Sequence, residues 1–470
     1  MKNLKRKTVA AGIAAVFAGV LFTNNSFAAT RDYIIQTNYE INSADTVELT
    51  FELQNIDGTV VSSKTSGPGL ISFDPISVDD ADTAPHFYKI VQKNDGKAGV
   101  VYDSKNVYAR IIPSENRIAY QDDTTYKYVN DGSGPHPYNA TDEELQGQAY
   151  AVYDSETKIM TFFRDEENKY TDGQVDGNKT YFTDFELANL GHADHFRAVI
   201  PSWQYAYAIR DAAEKIVFRD AIRPEGAMSN WFSGFSNVTE ADIDKLDTSH
   251  ATSLYYFFNN ATKLKDIDIT HLDFSKIVET TQNSDIHTLS TFLNGTSVEE
   301  FDSRNYVPID APTKRPTDAM LSQSAIRYLN TENFNIMSGS AEFAAAKCLE
   351  RVVTGAGFTF LRTNLDLYDA QWLKIEDGRI GSFSSFMRDD GQGGTSSYGD
   401  TNPYAAGNYV RPTCNVTPAT FTIKYTKPAQ PDESGIKNPE TNDDLTALNI
   451  AVISVAGLLV LALADKRVKN

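Results

Sequence analysis

The chain has 470 residues, 11% of them aromatic, so it can bury the cores of several domains and is not a wholly disordered polymer. Its 63 acidic residues outnumber its 43 basic residues, and the net charge is −20. This acidic excess repels phosphate backbones, and we therefore expect no nucleic-acid partner.

Residues 1–28 have the pattern of an export leader. A basic start, KNLKRK, precedes an apolar run at 9–22, and the small residues of S-F-A at 26–28 mark a cleavage point before Ala29. The apolar run is too short to cross a membrane comfortably. We predict that the chain is exported and that this leader is removed.

Residues 29–132 alternate apolar and polar side chains in short runs such as TVELTFELQ and VYARII, separated by Asp-Gly and Pro-Gly turns. This pattern predicts a β-sandwich. The stretch from FELQNIDGTVV to SKNVYARI resembles the pilin isopeptide-linkage domains of Gram-positive surface proteins, which join a first-strand Lys to a last-strand Asn with the help of a Glu. Here no Lys lies between Arg31 and Phe51, and Gln92 stands where the Glu would fall. The resemblance thus implies a sandwich without the covalent cross-link.

A Gly- and Pro-rich linker, residues 133–147, leads to a segment at 148–215. In that segment Ala149, Val152 and the run 159–163 flank a polar turn at 154–157, which predicts a β-hairpin. We expect residues 148–215 to cap the N-terminal end of the region that follows.

Residues 216–353 carry an imperfect repeat. A leading apolar residue recurs at steps of 26, 34, 28 and 23 residues, at Val238, Leu264, Val298, Ile326 and Leu349. A second apolar residue follows each of them three or five positions later, at Ile243, Ile267, Phe301, Leu329 and Val352. The pattern predicts a solenoid in which each unit, a short strand and a short helical turn, buries its apolar edge against its neighbours.

The stretch AYAVYDSETKIMTFF, followed by VFRDAI, WF and KLDTS, resembles the BspA-type leucine-rich repeats of bacterial surface proteins, from Gln148 to about Val353. The spacing is less regular here, and LYYFF stands where that family usually has a Met-Phe pair. Residues 354–425, which include Trp372, are expected to cap the open end. The predicted fold class is therefore mixed α+β: an N-terminal β-sandwich, an irregular leucine-rich-repeat solenoid with capping segments, and a C-terminal transmembrane or sorting helix.

The sequence contains no recognisable catalytic or metal-binding motif. His192 and His195 have a helical spacing but no third ligand, and we interpret them as solvated. The stretch DGQVDGNKT at 172–180 lacks the carboxylates of a calcium loop, and the Gly-rich stretch at 389–400 lacks the phosphate-loop pattern. We expect no enzymatic activity, no cofactor and no bound metal.

The two cysteines, Cys348 and Cys414, are too few for a disulfide scaffold. A disulfide across 66 residues and two separate thiols are both compatible with the sequence.

The exposed positions of the predicted solenoid strands include Lys265, Asp266, Asp268, Glu299, Glu300, Asp302, Arg327, Tyr328, Asn330, Glu350 and Arg351, and the predicted ligand face consists of Lys265, Asp266, Asp268, Arg327 and Tyr328. Aligned on one face, they would form a largely acidic ladder with basic and aromatic interruptions. One interpretation is a solvated face that keeps the protein soluble. The other is a binding face for a protein or a glycan, with Tyr328 beside Arg327 as its most suggestive point.

Residues 426–441 form a Pro-rich stalk, and residues 442–470 contain an apolar run at 445–464 and a basic tip. Twenty apolar residues can cross a bilayer, so the tail alone predicts a single-span membrane anchor. The motif ahead of the run, Asn438-Pro439-Glu440-Thr441-Asn442, resembles the N-P-x-T-N type of sortase signal in Gram-positive wall proteins. The resemblance implies a transient sortase, whose thiolate attacks the Thr441 carbonyl, and peptidoglycan as the final acceptor.

These patterns together predict a non-enzymatic adhesin or ligand-binding protein, covalently attached to the cell wall, that presents its repeats to a host or matrix protein or to a glycan. Two alternatives stay open. One is a surface glycan-acting enzyme with an unrecognised site, and the other is a structural pilus-like subunit.

Overall fold

A computed structural model describes residues 29–123, 137–166, 169–186, 200–276, 289–302, 320–332, 348–354, 371–382 and 406–429. Within these ranges 40% of the residues lie in strands and 5% in helices, and α1 (Tyr207–Ala212) is the one α-helix that is described in full. Residues 275–276 are also helical, and 3-10 turns lie at Pro113–Glu115 and Ser202–Gln204. The predicted mixed α+β class is therefore wrong, because the fold is nearly all β.

Within the same ranges, no helical segment has the length and hydropathy that a membrane crossing requires. The apolar run at 445–464, for which a helix was predicted, lies outside the described residues. The architecture described below belongs to the compact unit that contains residues 29–96 and the described residues between Val101 and Lys424.

The N-terminal region is a β-sandwich. Its strands are β1 (Thr30–Tyr33), β2 (Gln36–Ile41), β3 (Leu49–Asn55), β4 (Val60–Ser66), β5 (Gly69–Ser72), β6 (Ile76–Asp79), β7 (His86–Gln92), β8 (Val100–Val101), β9 (Val107–Ile112) and β10 (Arg117–Asp122). One sheet is antiparallel, in the order β10-β9-β7-β3-β4. In the facing sheet β5 pairs with β2, and β1 forms a separate pair with β6.

The last strand in the described residues, β26 (Thr420–Tyr425), completes this sandwich. It lies parallel to β2, with Tyr39 opposite Phe421. These two rings pack on Phe51 of the other sheet, at centroid distances of 5.5 Å and 5.3 Å. The predicted boundaries placed residues 354–425 in the cap of the repeats, but the end of that range belongs to the sandwich. The repeats are thus inserted between β10 and β26.

The position that the pilin resemblance reserves for a Glu is occupied by Gln92, whose side-chain carbonyl accepts a hydrogen bond from the Asp103 amide at 2.8 Å. A lysine that sequence reasoning did not single out, Lys105, is buried nearby with 8% of its side chain exposed. Its ammonium lies 3.4 Å from Asp103 and 3.9 Å from Asp122 and donates to the Thr420 carbonyl. Lys105 therefore holds the start of β26 in place.

The inserted region contains fifteen named strands in the described ranges. They are β11 (Gln148–Asp154), β12 (Ile159–Asp165), β13 (Val175–Asp176), β14 (Lys179–Phe182), β15 (Lys215–Phe218), β16 (Gly226–Ala227), β17 (Glu240–Asp242), β18 (Ala251–Ser253), β19 (Asp266–Ile267), β20 (Glu300–Asp302), β21 (Tyr328–Thr331), β22 (Arg351–Thr354), β23 (Gln371–Lys374), β24 (Arg379–Ser382) and β25 (Gly407–Val410). The predicted hairpin is confirmed as β11 and β12. One sheet has the order β13-β14-β11-β12-β15-β17-β19, another β20-β21-β22-β25-β23-β24, and β16 pairs with β18.

The repeat strands β15, β17 and β19 are parallel to one another, as are β20, β21 and β22. The leading residues Val238, Leu264, Val298, Ile326 and Leu349 are each at most 2% exposed. Ala241 pairs with Ile267, so Ala241 and not Ile243 is the position equivalent to Ile267. Each repeat therefore buries its apolar edge against its neighbours, as the spacing predicts.

The turns between these strands are tight and not helical. Two residues with left-handed φ, four positions apart, recur at Asn230 and Gly234, Tyr256 and Asn260, and Thr291 and Gly295. Left-handed residues interrupt a right-handed helix, so the predicted helical turn does not form here. Successive turns are instead joined by backbone bonds such as Asn230 N to Tyr255 O, 2.9 Å. A Cβ at Gly295 would lie 2.8 Å from Asn260 Oδ1, which accounts for glycine at that position.

Two contacts fix the C-terminal end of the repeats. Phe87 and Tyr108 of the sandwich share a buried cluster with Leu373 and Val410 of β23 and β25. Cys348 and Cys414 form a disulfide, with Cα atoms 5.3 Å apart, which settles the choice that the sequence left open. The return segment, residues 411–419, is thereby joined to the last repeat.

A buried arginine fixes the N-terminal end. Arg164 donates to the carbonyls of Ala221 at 3.0 Å, Leu145 at 3.3 Å and Gly147 at 3.1 Å, and it pairs with Glu186. Only 7% of the Arg164 side chain and 19% of the Glu186 side chain are exposed. Burial raises the pKa of Glu186, and the Arg164 guanidinium opposes that rise. One side chain thus joins the linker, the cap and the first repeat.

Candidate ligand-binding groove

Each repeat strand begins two residues after a buried leading residue, and the two positions that follow the leading residue form two rows across the sheets. The first row is Glu214, Thr239, Lys265, Glu299, Arg327 and Glu350. The second row is Lys215, Glu240, Asp266, Glu300, Tyr328 and Arg351. Strand pairing aligns the second row, with Lys215 opposite Glu240, Glu240 opposite Asp266, and Tyr328 opposite both Glu300 and Arg351.

Basic and acidic side chains pair between neighbouring strands at this edge. The nitrogen–oxygen distances are 2.5 Å for Lys158–Glu214, 2.5 Å for Lys215–Glu240, 2.9 Å for Lys265–Glu299, 3.5 Å for Arg327–Glu299 and 2.7 Å for Arg327–Glu350. The Glu214 carboxylate raises the pKa of the Lys158 ammonium. The pairs that are exposed to solvent order the edge more than they stabilise the fold. The pair of Arg327 with Glu350 differs from them, because the Glu350 side chain is buried.

A groove of about 500 Å³ opens where these rows are exposed. We call it the strand-start groove, and its lining is Thr239, Glu240, Lys265, Asp266, Ile267, Val298, Glu299 and Glu300. Ile267 and Val298 give it an apolar floor, since both belong to the buried core. The lining carries four carboxylates and one ammonium, so the groove is acidic.

A second groove, of about 360 Å³, lies beside the later repeats. It shares Glu299 with the strand-start groove, and its other lining residues are Ser324, Ala325, Arg327, Cys348, Cys414 and Asn415. We call it the disulfide groove. Its position extends the exposed edge from the middle repeats to the last one.

The structure separates the five residues that the sequence proposed as a ligand face. Lys265 and Asp266 lie together in the strand-start groove, and Arg327 lines the disulfide groove. Asp268 lies beyond the end of β19, where its carboxylate accepts bonds from the amide and hydroxyl of Thr270 at 2.9 Å and 2.7 Å. Tyr328 is only 2% exposed and is not available to a ligand. The prediction of exposed side chains was also wrong for four further positions, which are buried: Asp302, Asn330, Glu350 and Arg351.

Tyr328 is buried because distant parts of the chain cover the second half of the row. The neighbouring Arg351 side chain bonds Asn408 of β25 at 3.0 Å and lies 3.9 Å from Asp123, just after β10. The Arg351 guanidinium also lies 5.9 Å from the Tyr328 ring centroid. The exposed part of the row therefore ends at Glu300.

Sequence reasoning missed Glu214, Lys215 and Glu240 as members of the rows. The signal was available, because each charged residue follows a buried apolar residue at the start of a strand. Asp172, from the stretch that only faintly resembles a calcium loop, instead bonds the Thr183 amide at 3.0 Å and the Ser202 hydroxyl at 2.7 Å.

His192, His195, the Gly-rich stretch at 389–400 and the motif at 438–442 lie outside the described residues. Among the residues that are described, no three His, Cys, Asp or Glu side chains are arranged to hold a metal ion.

Chemically, the strand-start groove can accept an ammonium or guanidinium group at its rim while an aliphatic stem lies on Ile267 and Val298. Its side chains start from strands held by bonds such as Arg327 N to Glu299 O, 2.8 Å, so the charges are fixed before a ligand arrives. A comparison of the chain with protein-family models and with curated proteins finds no match.

Proposed function

We propose that this protein is an exported, wall-attached surface protein that binds a partner polypeptide through the strand-start groove. The observation that carries the binding role is the groove itself: about 500 Å³, open to solvent, with charges set by paired strands. The attachment role rests on the motif at 438–442 and its resemblance to a sortase signal.

The chemistry of the groove favours a partner segment that carries lysine or arginine. Four carboxylates, those of Glu240, Asp266, Glu299 and Glu300, lie at the rim, whereas Lys265 is the one ammonium in the groove lining. A long cationic side chain can place its stem on the apolar floor and its charged end at this rim. Charge complementarity of this kind raises the association rate and selects between partners.

Replacing Asp266 with lysine should weaken the binding of lysine-rich peptides about tenfold, because it turns an attraction in the groove into a repulsion. The measurement is retention of immobilised lysine-rich, uncharged and glutamate-rich peptides of equal length by the wild-type and variant proteins. The matched control is Asp244→Lys, which makes the same charge change at an exposed position beyond β17. Equal weakening by both variants would show a general charge effect and no groove.

Replacing Thr441 with alanine should abolish attachment to peptidoglycan, since the resemblance makes its carbonyl the point of sortase attack. The measurement is the distribution of the protein between wall, membrane and medium, with the mass of each form. The control is Glu440→Ala, which changes the variable position of the motif and should leave attachment intact. Wall-linked protein at the wild-type level in the Thr441 variant would refute this attachment site.

The fractionation experiment also separates the proposed role from a pilus-like one. A pilus subunit would appear in wall extracts as a series of covalent polymers that survive denaturing electrophoresis. We expect a single wall-linked species.

A further inference from the structure

The disulfide lies at an exposed place in the fold. Cys414, in the return segment, is exposed, and Cys348, directly before the last leading residue, is half-buried. Both sulfur-bearing residues line the disulfide groove, whose volume of about 360 Å³ admits a small molecule. Since exchange requires a thiolate to reach one sulfur, an open groove beside the bond makes it reactive, unlike a disulfide sealed in a core.

The surroundings select the charge of the incoming thiol. Glu299 lies in the same groove, and Glu350, which is fully buried, already holds the Arg327 guanidinium at 2.7 Å. The positive charge of Arg327 is therefore neutralised by Glu350. The acidic strand-start groove adjoins the disulfide groove, because Glu299 lines both. Neutral or cationic thiols should approach more easily than anionic ones.

Other contacts hold the return segment when the bond opens. Arg411 N donates to Glu350 O at 2.7 Å, Tyr120 N donates to Asn415 O at 2.7 Å, and Asn38 N donates to Ala419 O at 2.9 Å. These bonds tie the segment both to the last repeat and to the sandwich. We therefore expect the fold to stay in place when the disulfide opens.

We propose that the Cys348–Cys414 disulfide is a thiol-exchange site for a small neutral or cationic thiol. The thiolate of that molecule attacks Cys414 Sγ and forms a mixed disulfide with it. The bond to Cys348 breaks, and Cys348 leaves as a thiolate that takes a proton from water or attacks the mixed disulfide to restore the original bond. No external oxidant is consumed, because one disulfide is exchanged for another.

The test uses the folded full-length chain, without denaturant. The protein is incubated with cysteamine, free thiols are blocked with an alkylating reagent, and the modified peptides are identified by mass spectrometry. We expect cysteamine on Cys414, the alkyl group on Cys348, and an unchanged circular dichroism spectrum. Modification that requires denaturant, or cysteamine found on Cys348 alone, would overturn the assignment.

A second arm tests the charge selection. The rate with cysteamine is compared with that of the anionic thiol glutathione, each relative to its rate with a small unhindered disulfide. We expect glutathione to be slower by about three- to tenfold at low salt, with a smaller difference at high salt. In Glu299→Gln the difference should shrink, and equal rates in the wild type at low salt would contradict the role of the groove.

Discussion

Replacing Phe421 with alanine should lower the free energy of unfolding by about 3–5 kcal/mol, the usual range for emptying a buried phenylalanine site. Phe421 has no exposed surface, packs on Phe51, and lies 5.3 Å from the Lys105 ammonium. Because β26 belongs to the sandwich, this change near the C-terminal end should destabilise the N-terminal region. Amide hydrogen exchange should accelerate in β2 and β3 more than in β15 and β17.

The matched control is Thr422→Ala, on the same strand but exposed. It should change the free energy of unfolding by no more than about 0.5 kcal/mol. Unaltered protection of β2 in the Phe421 variant would mean that β26 does not complete the sandwich in solution.

Replacing Arg164 with methionine should cost about 3–5 kcal/mol at neutral pH, because it leaves the Glu186 carboxylate buried without its partner. It also removes the donor to three backbone carbonyls. The measurement is the denaturant midpoint. The control is Lys158→Met, which breaks a pair whose side chains are 47% and 53% exposed and should leave the denaturant midpoint nearly unchanged.

The pH dependence gives this prediction a second signature. Burial already raises the pKa of Glu186, and loss of Arg164 should raise it further. A carboxyl group with a raised pKa in the folded state is penalised above that pKa and relieved below it. The deficit of the variant should therefore shrink as the pH falls toward the ordinary range of a glutamate. Adding Glu186→Gln should restore part of the stability at neutral pH, and a double variant as unstable as the sum of both single changes would refute the coupling.

Much of the sandwich was predictable, because its strands alternate apolar and polar residues and are separated by Gly-containing turns. The role of β26 was not. The run TFTIKY has the same alternation whether it caps a solenoid or completes a sandwich, since alternation identifies a strand and not its partner. Its partner β2 lies at the other end of the chain, and no local signal links Tyr39 with Phe421.

The spacing of the repeats predicted their parallel stacking but gave the wrong class. A pair of apolar residues separated by polar ones fits a helical turn and a tight turn equally well at this length. The deciding residues are those with left-handed φ, such as Asn230 and Tyr256. Tyrosine rarely adopts that conformation, so Tyr256 gives no such signal in the sequence.

The candidate site was predictable in part. Lys265 and Asp266 follow a buried leucine at the start of a strand, and this position places both at the exposed edge. Tyr328 occupies the same row as Asp266, yet it is buried, because Arg351, Asn408 and Asp123 meet over that end of the sheet. Those contacts join segments that are far apart in the chain, and the spacing of the repeats gives no information about them.

The disulfide has a mechanical consequence. If Thr441 is bonded to the wall and a partner is held in the strand-start groove, tension runs along the chain between them. The bond from Cys348 to Cys414 gives that tension a covalent path from the position just before the last repeat strand, β22, into the return segment and on to β26. The sixty-odd residues between the two cysteines, which include β22, β23, β24 and β25, are by-passed. A pull on the anchored molecule is then transmitted by a covalent bond, and these by-passed strands do not have to carry it along the chain.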